Sequence, residues 1–283
     1  MYKHSYASLN DIKLLLGITS STDDASLLNI LERASKSIDE YTGRRFYSTS
    51  EVKYFDGDNT LWIPDLLSIS ASGLQIDELG VSSFVALAST DYIEYGSGQE
   101  DSLNKFPITR LEISMNSDYG GFATGIKKGV KISGNWGYGE TSTPYIADTT
   151  LSASIGTTTT TCSVTSGTNL NPGMTLLIES EQIYINSGSS PIVVSRGING
   201  TTAVEHASGT QLYYYEYPKD VVQACLDLAS ALWNIRGKQG VQSERIGDYS
   251  YNLKSPYSEG GKLKSILQSI MDDEISHYKK VKI

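Results

Sequence analysis

Two apolar stripes at helical spacing, separated by most of the chain, constrain this sequence more than any other feature. Leu27, Leu31, Ala34, Ile38 and Tyr41 recur at alternating intervals of four and three residues, and so do Val221, Cys225, Leu228, Leu232 and Ile235. Each stripe has helix punctuation. Thr22-Asp23-Asp24 puts a cap and negative charge before the first, and Thr42-Gly43 ends it. Pro218 suits the first turn of the second, where a missing N–H costs nothing, and Gly237 suits the position just past its end. Two helices so far apart in sequence most simply bury their stripes against each other. The chain between them is then expected to be β structure hung from a helical base.

Taken in order, Ser8-Leu-Asn-Asp11 has capping-box spacing and opens a short helix ending near Gly17. Arg44 and Arg45 follow the first stripe, either to compensate the negative helix end or to meet an acidic partner. From about residue 50 strand-like runs begin at 52–55 and 61–63, around Asp56-Gly-Asp-Asn-Thr60, a turn composition read as a hairpin. A calcium loop is excluded there because its twelfth position is Leu67 and its glycine is misplaced. Further strands are expected at 66–76, 81–87, 91–95, 110–115 and 130–136.

Residues 142–216 change character. They are rich in Thr, Ser and Gly and nearly lack Lys and Arg, with strands expected at 176–179, 182–185, 192–195 and 212–215. Such spacing suggests a small sandwich or barrel. Removing this block would join Gly139-Glu140 almost directly to Pro218, so it reads as an insertion. After residue 240 comes an extended segment, then a helix carrying Leu263, Ile266, Leu267, Ile270, Met271 and Ile275, closed by Lys279, Lys280 and Lys282. That helix either lies on its own core or docks onto a neighbour.

The expected fold is α+β, a small helical bundle with attached antiparallel β structure plus an inserted all-β domain. The expected division is 1–141 with 217–239 as the helical and β core, 142–216 as the insert, and 240–283 as a C-terminal arm and helix.

Composition narrows the function classes. The net charge of −9 argues against gripping nucleic acid by its phosphates, though not against a surface that DNA passes without sticking. No apolar run reaches membrane-spanning length, and no secretory signal is expected at the N-terminus. Cys162 and Cys225 lie in unrelated segments and are expected as free thiols. The three histidines, His4, His206 and His277, are scattered, and no nucleophile elbow, phosphate loop or metal-ligand spacing is present. Glu179 and Glu181 flank a turn and are not read as a catalytic pair. No catalytic, metal or cofactor residue is expected. Tyrosine outnumbers phenylalanine 19 to 5, which suits either strands or assembly interfaces.

The order of pieces carries a resemblance. LLNILERASKSIDEYTGRRFY at 27–47, the strand ending Ser133-Gly-Asn-Trp-Gly-Tyr-Gly139, the helix opening Tyr217-Pro-Lys-Asp-Val221, and Ser243-Glu-Arg-Ile-Gly-Asp-Tyr-Ser250 together resemble the head–tail connector (adaptor) proteins of tailed phages. The insert departs from that pattern and looks like a small β module of phage structural proteins. Within it Arg196-Gly197 and Gly200-Thr201 would set a turn, and His206 is read as a structural hydrogen-bonder.

The resemblance implies a virion protein of the neck, made in the host cytoplasm, that assembles as a homo-oligomeric ring of about 12 subunits between the portal and the next neck or tail protein. DNA would pass through its channel without sequence-specific contact, and no membrane would be involved. Leu27, Leu31, Ile38, Tyr41, Val221, Leu228, Leu232 and Trp233 would form the helical core or pack around the ring. Arg44, Arg45, Arg245, Ile246, Tyr249, Tyr251, Leu267 and Ile270 would face the portal or a neighbour. Asp56, Asp58, Asp101 and Asp118 would face the channel or the tail. The insert is expected to project outward as a docking site. The alternatives are a neck or tail-completion protein, or a carbohydrate-binding module using insert tyrosines such as Tyr184 and Tyr213.

Overall fold

The computed structural model describes residues 2–96, 106–236, 243–246, 249–252 and 262–280. They are mixed α+β and form two compact units.

One unit comprises Met1–Tyr2, Arg45–Ile146 and Gly197–Thr202. Its sheet contains β1 (Thr49–Phe55), β2 (Thr60–Ile76), β3 (Val85–Ala86), β4 (Tyr92–Gly96), β5 (Ile108–Ile113) and β6 (Val130–Trp136). The order is β1-β6-β2-β5-β4, with β3 also on β2. The expected hairpin at 56–60 is therefore corrected: β1 and β2 both flank β6 and do not pair with each other. The reason is visible at Gly57. Its N–H donates to Ile126 O at 2.8 Å, and a Cβ there would lie 1.8 Å from Ala123 O. The connection is clamped by the 122–126 loop instead of closing on itself, and Asp58 bridges to Phe122.

The runs at 61–63 and 66–76 fuse into one strand, which passes through Pro64 where its register with β5 shifts, the kind of place a strand tolerates proline. The strand expected at 81–87 shrinks to Val85–Ala86, because the Asp77 carboxylate accepts N–H groups from Val81 and Ser82 and holds that stretch as a turn. Leu66, Leu74, Ile76, Ile108, Leu111, Phe122, Ile132 and Trp136 fill the core. Burial of side chains this size stabilises by about 1.5–3 kcal/mol each.

The other unit comprises Lys3–Arg44, Ala147–Arg196 and Ala203–Ile283. It holds α1 (Leu9–Leu16), α2 (Asp24–Thr42), α3 (Lys219–Ile235) and α4 (Lys262–Glu274). The capping box at Ser8 forms as expected, and Gly17 and Gly43 end α1 and α2 in the left-handed conformation. α2 and α3 pack stripe to stripe, with Ser35 Oγ 3.4 Å from Cys225 Sγ.

A second sheet follows, with β7 (Tyr145–Thr150), β8 (Thr161–Cys162), β9 (Thr175–Ile178), β10 (Glu181–Ser187), β11 (Ile192–Ser195) and β12 (Gln211–Tyr215), in the order β7-β12-β9-β10-β11-β8. β7 and β8 were not legible in the sequence. Beyond these two edges the chain meets itself: Ser152 N–H donates to Ser163 O and Thr165 N–H to Thr150 O, both at 2.9 Å. The sheet thereby rolls toward a closed barrel, leaving few open edges.

Residues 147–196 and 203–216 fall in the same compact unit as the helices. Leu9 N–H donates to Pro172 O at 2.8 Å. Tyr217 packs between Tyr6 and Tyr215, its ring centroid 5.0 Å from the first, edge-on, and 4.7 Å from the second. Several tyrosines thus serve as core.

Candidate assembly surfaces and a buried charge network

The stripe residues divide by burial. Leu27, Leu31, Ile38, Val221 and Leu228 are buried within the chain, while Tyr41, Leu232 and Trp233 lie half-buried at its margin. The first five are committed to the chain's own core; only the last three retain surface for a neighbour.

The far end of α2 is gripped by the chain's own C-terminal segment. Lys280 N–H donates to Thr42 O at 2.8 Å, Arg44 Nε donates to Tyr278 O at 2.7 Å, and Lys279 Nζ sits 4.5 Å over the Tyr41 ring. The Tyr41 hydroxyl bonds to Asp272, and burial together with that carboxylate pushes its pKa up to about 12. Arg44 therefore secures the tail. Arg45 instead pairs with Glu51 at 3.2 Å and lies over Tyr2.

The last helix, α4, packs on α3, with Leu267 and Ile270 half-buried. Across that contact Glu274 faces Asp227. Desolvation first, then the shared hydrogen bond and the charges of Asp227, Asp220 and Asp273, raise the Glu274 pKa to about 7. Arg245, Ile246, Tyr249 and Tyr251 lie on a hairpin of β13 (Ser243–Ile246) and β14 (Tyr249–Asn252), paired as Arg245↔Ser250, Ile246↔Tyr249 and Glu244↔Tyr251. Their side chains lie outside the described residues.

Of the acidic loop residues, Asp56 accepts from Lys127 Nζ at 2.7 Å and from Lys128 N–H, and these bonds hold its carboxyl below the usual range. Asp58 turns back to accept Asn59 N–H. Asp118 is exposed, and Asp101 lies outside the described residues.

Sequence reasoning missed the most elaborate polar arrangement, inside the barrel. Glu181, fully buried at the start of β10, receives a bidentate pair from Arg196: Nε to Oε1 at 2.6 Å and Nη2 to Oε2 at 2.7 Å. Arg196 also donates to the carbonyls of Gly156, Thr159 and Val204. His206 bridges the β9–β10 turn, its Nδ1 2.8 Å from Glu179 Oε2 and its Nε2 2.9 Å from Glu181 Oε2. Glu179 reaches it from a left-handed backbone conformation, φ 53°. Charge-assisted, bidentate bonds of this kind are the strong ones, and they fix geometry. Every arm of the guanidinium is occupied and the carboxylate is sealed from water, so the network holds loops together and offers no open position to a substrate. A usable signal existed: Arg196 is the lone Arg or Lys between residues 142 and 216.

A second feature missed in the sequence is the solvent face of the first sheet. Arg110 lies 4.1 Å from the Tyr95 ring centroid and 5.5 Å from that of Trp62, which is 63% exposed. Ile93 is exposed on the neighbouring strand, and Val52 and Tyr54 are exposed on β1, Tyr54 packing edge-on to Phe84. Trp, Tyr and Arg are the side chains that dominate binding energy at protein interfaces. Tyr184, by contrast, is fully buried, so it presents no ring to a glycan; Tyr213 is half-buried.

Among the described residues no group of His, Cys, Asp or Glu could hold a metal ion, and no helix is long and apolar enough to cross a membrane. No curated protein matches the chain. Residues 6–77, the span that holds α1, α2, β1 and β2, match the model of the phage gp6-like head-tail connector protein family. That segment, 72 of the 283 residues, is what the chain shares with the phage head–tail connector family.

Proposed function

We propose that this protein is the subunit of a connector ring that joins the portal to the next neck or tail component and continues the DNA channel. The family match over α1 to β2 carries the reading, and it supports a structural role in the phage particle. The helices, as a small bundle, would form the base of each subunit. Tyr41, Leu232 and Trp233 would complete packing against a neighbour. The Trp62–Arg110–Tyr95 face would meet a second protein surface, because large amphipathic rings around a cation lose little entropy when covered. The chain's net charge of −9 fits a channel wall that DNA slides past. Asp118 and Asp101 would contribute to that repulsion, and the hairpin bearing Arg245 and Tyr249 would grip the portal.

Native mass spectrometry of the purified chain, alone and with its portal protein, tests the proposal. A closed ring of about 12 subunits, alone or only on the portal, is the expected result. A monomer indifferent to portal would overturn it, and a trimer or hexamer would favour a neck or tail-completion protein instead.

A further inference from the structure

The segment before α1 brings Lys3 to β10 of the barrel. Its Nζ lies 2.7 Å from Asn186 Oδ1 and 3.6 Å from Glu32 Oε1. The ammonium sits over the Tyr184 ring, 4.4 Å from its centroid, and that ring is fully buried. The Lys3 and Glu32 side chains are 20% and 33% exposed. Ser195 holds the other side of the Asn186 carboxamide, its Oγ 3.1 Å from Nδ2 and 3.2 Å from Oδ1. An amine, a carboxamide and a carboxylate from three distant parts of the chain thus meet on an aromatic floor. Bonding partners on both sides fix the carboxamide in place.

We propose that this trio closes a covalent isopeptide bond between Lys3 Nζ and Asn186 Cγ. The Glu32 carboxylate takes a proton from the ammonium, which frees the lone pair on Nζ. The amine adds to Cγ, and charge develops on Oδ1, to which Ser195 Oγ–H donates. Glu32 then returns its proton to Nδ2, the Cγ–Nδ2 bond breaks, and the remaining extra proton on Nζ leaves with the departing nitrogen. One C–N bond forms and one breaks, nothing is oxidised or reduced, and the products are a secondary amide and ammonium. Holding the reactants in contact removes the entropy cost of a bimolecular encounter. The bond would tie the N-terminal segment to a strand 183 residues away and keep it seated under load.

Intact mass spectrometry of the full chain, corrected for any loss of Met1, tests this directly. The expected mass is below the sequence mass by one ammonia, about 17 Da, with a digest yielding one branched peptide that joins Lys3 to Asn186. A succinimide at Asn199-Gly200 would lose the same mass but leave no branched peptide. Lys3→Arg and Glu32→Gln retain polar contacts at these positions and should both return to the full sequence mass. A wild-type chain at full mass overturns the proposal, and so does a mass loss that persists in Lys3→Arg.

Discussion

Replacing Arg196 by methionine is the sharpest test of how the barrel is held together. The substitution keeps most of the buried aliphatic volume and removes the guanidinium. It strands the Glu181 carboxylate, which is fully buried, and takes the donor from the carbonyls of Gly156, Thr159 and Val204. Removing one partner of a buried pair costs about 3–5 kcal/mol, because the remaining charge has lost its compensation without regaining water. His206 still faces Glu181 at 2.9 Å and offsets part of this, so the lower end, about 3 kcal/mol, is expected. For a unit of this size that corresponds to a fall in Tm of roughly 6–12 °C. Thermal unfolding followed by circular dichroism, with urea denaturation as the equilibrium check, measures it. The double variant Arg196→Met/Glu181→Leu should recover much of the loss, since no unpaired charge remains. If Arg196→Met alone unfolds within 1 °C of wild type, the network is not what holds these loops, and the reasoning fails.

Three further outcomes follow from the same structure. The Glu274 carboxyl is raised from its ordinary 4.5 to about 7, so the folded chain binds a proton that the unfolded chain lacks between those values. This contribution is therefore present at low pH and lost as pH rises through 7; after allowing for solvent screening it is about 1 kcal/mol, and Glu274→Gln should flatten that part of the stability–pH curve measured by urea titration at pH 5.5 and 8. Leu31→Ala, at a fully buried position on α2, should cost about 2–5 kcal/mol in denaturant unfolding, whereas Leu14→Ala, on an exposed face of α1, should stay within about 0.5 kcal/mol. Trp62→Ala with Arg110→Ala should leave the melting temperature of the isolated chain nearly unchanged and weaken assembly with the neighbouring virion protein by sedimentation velocity; intact assembly would remove that face from the proposed interface.

The helical base was legible because a helix writes its buried face into sequence at a spacing of three and four residues. Leu27 to Ile38 and Val221 to Leu228 could be read without knowing their partners, and the Ser8 capping box and Gly43 C-cap are local events that need no tertiary context. The insert's strands β9 to β12 announced themselves in the same way, through short apolar runs between turn residues.

What the sequence could not determine was pairing. Asp56-Gly57-Asp58 has hairpin composition, yet β6, arriving more than 70 residues later, lies between β1 and β2, and the clamp on Gly57 comes from Ala123 and Ile126. Strand partners are chosen by which faces can be buried together, and that choice involves residues no local window contains. The Arg196–Glu181–His206 network was hidden for a related reason. Each member is ordinary in its own segment, and only burial converts a scattered Arg, Glu and His into a single structural tie, because charges removed from water must find one another. Lys3, Glu32 and Asn186 were equally silent in sequence. They come within reach of one another only in the tertiary structure, where the segment before α1 meets α2 and β10.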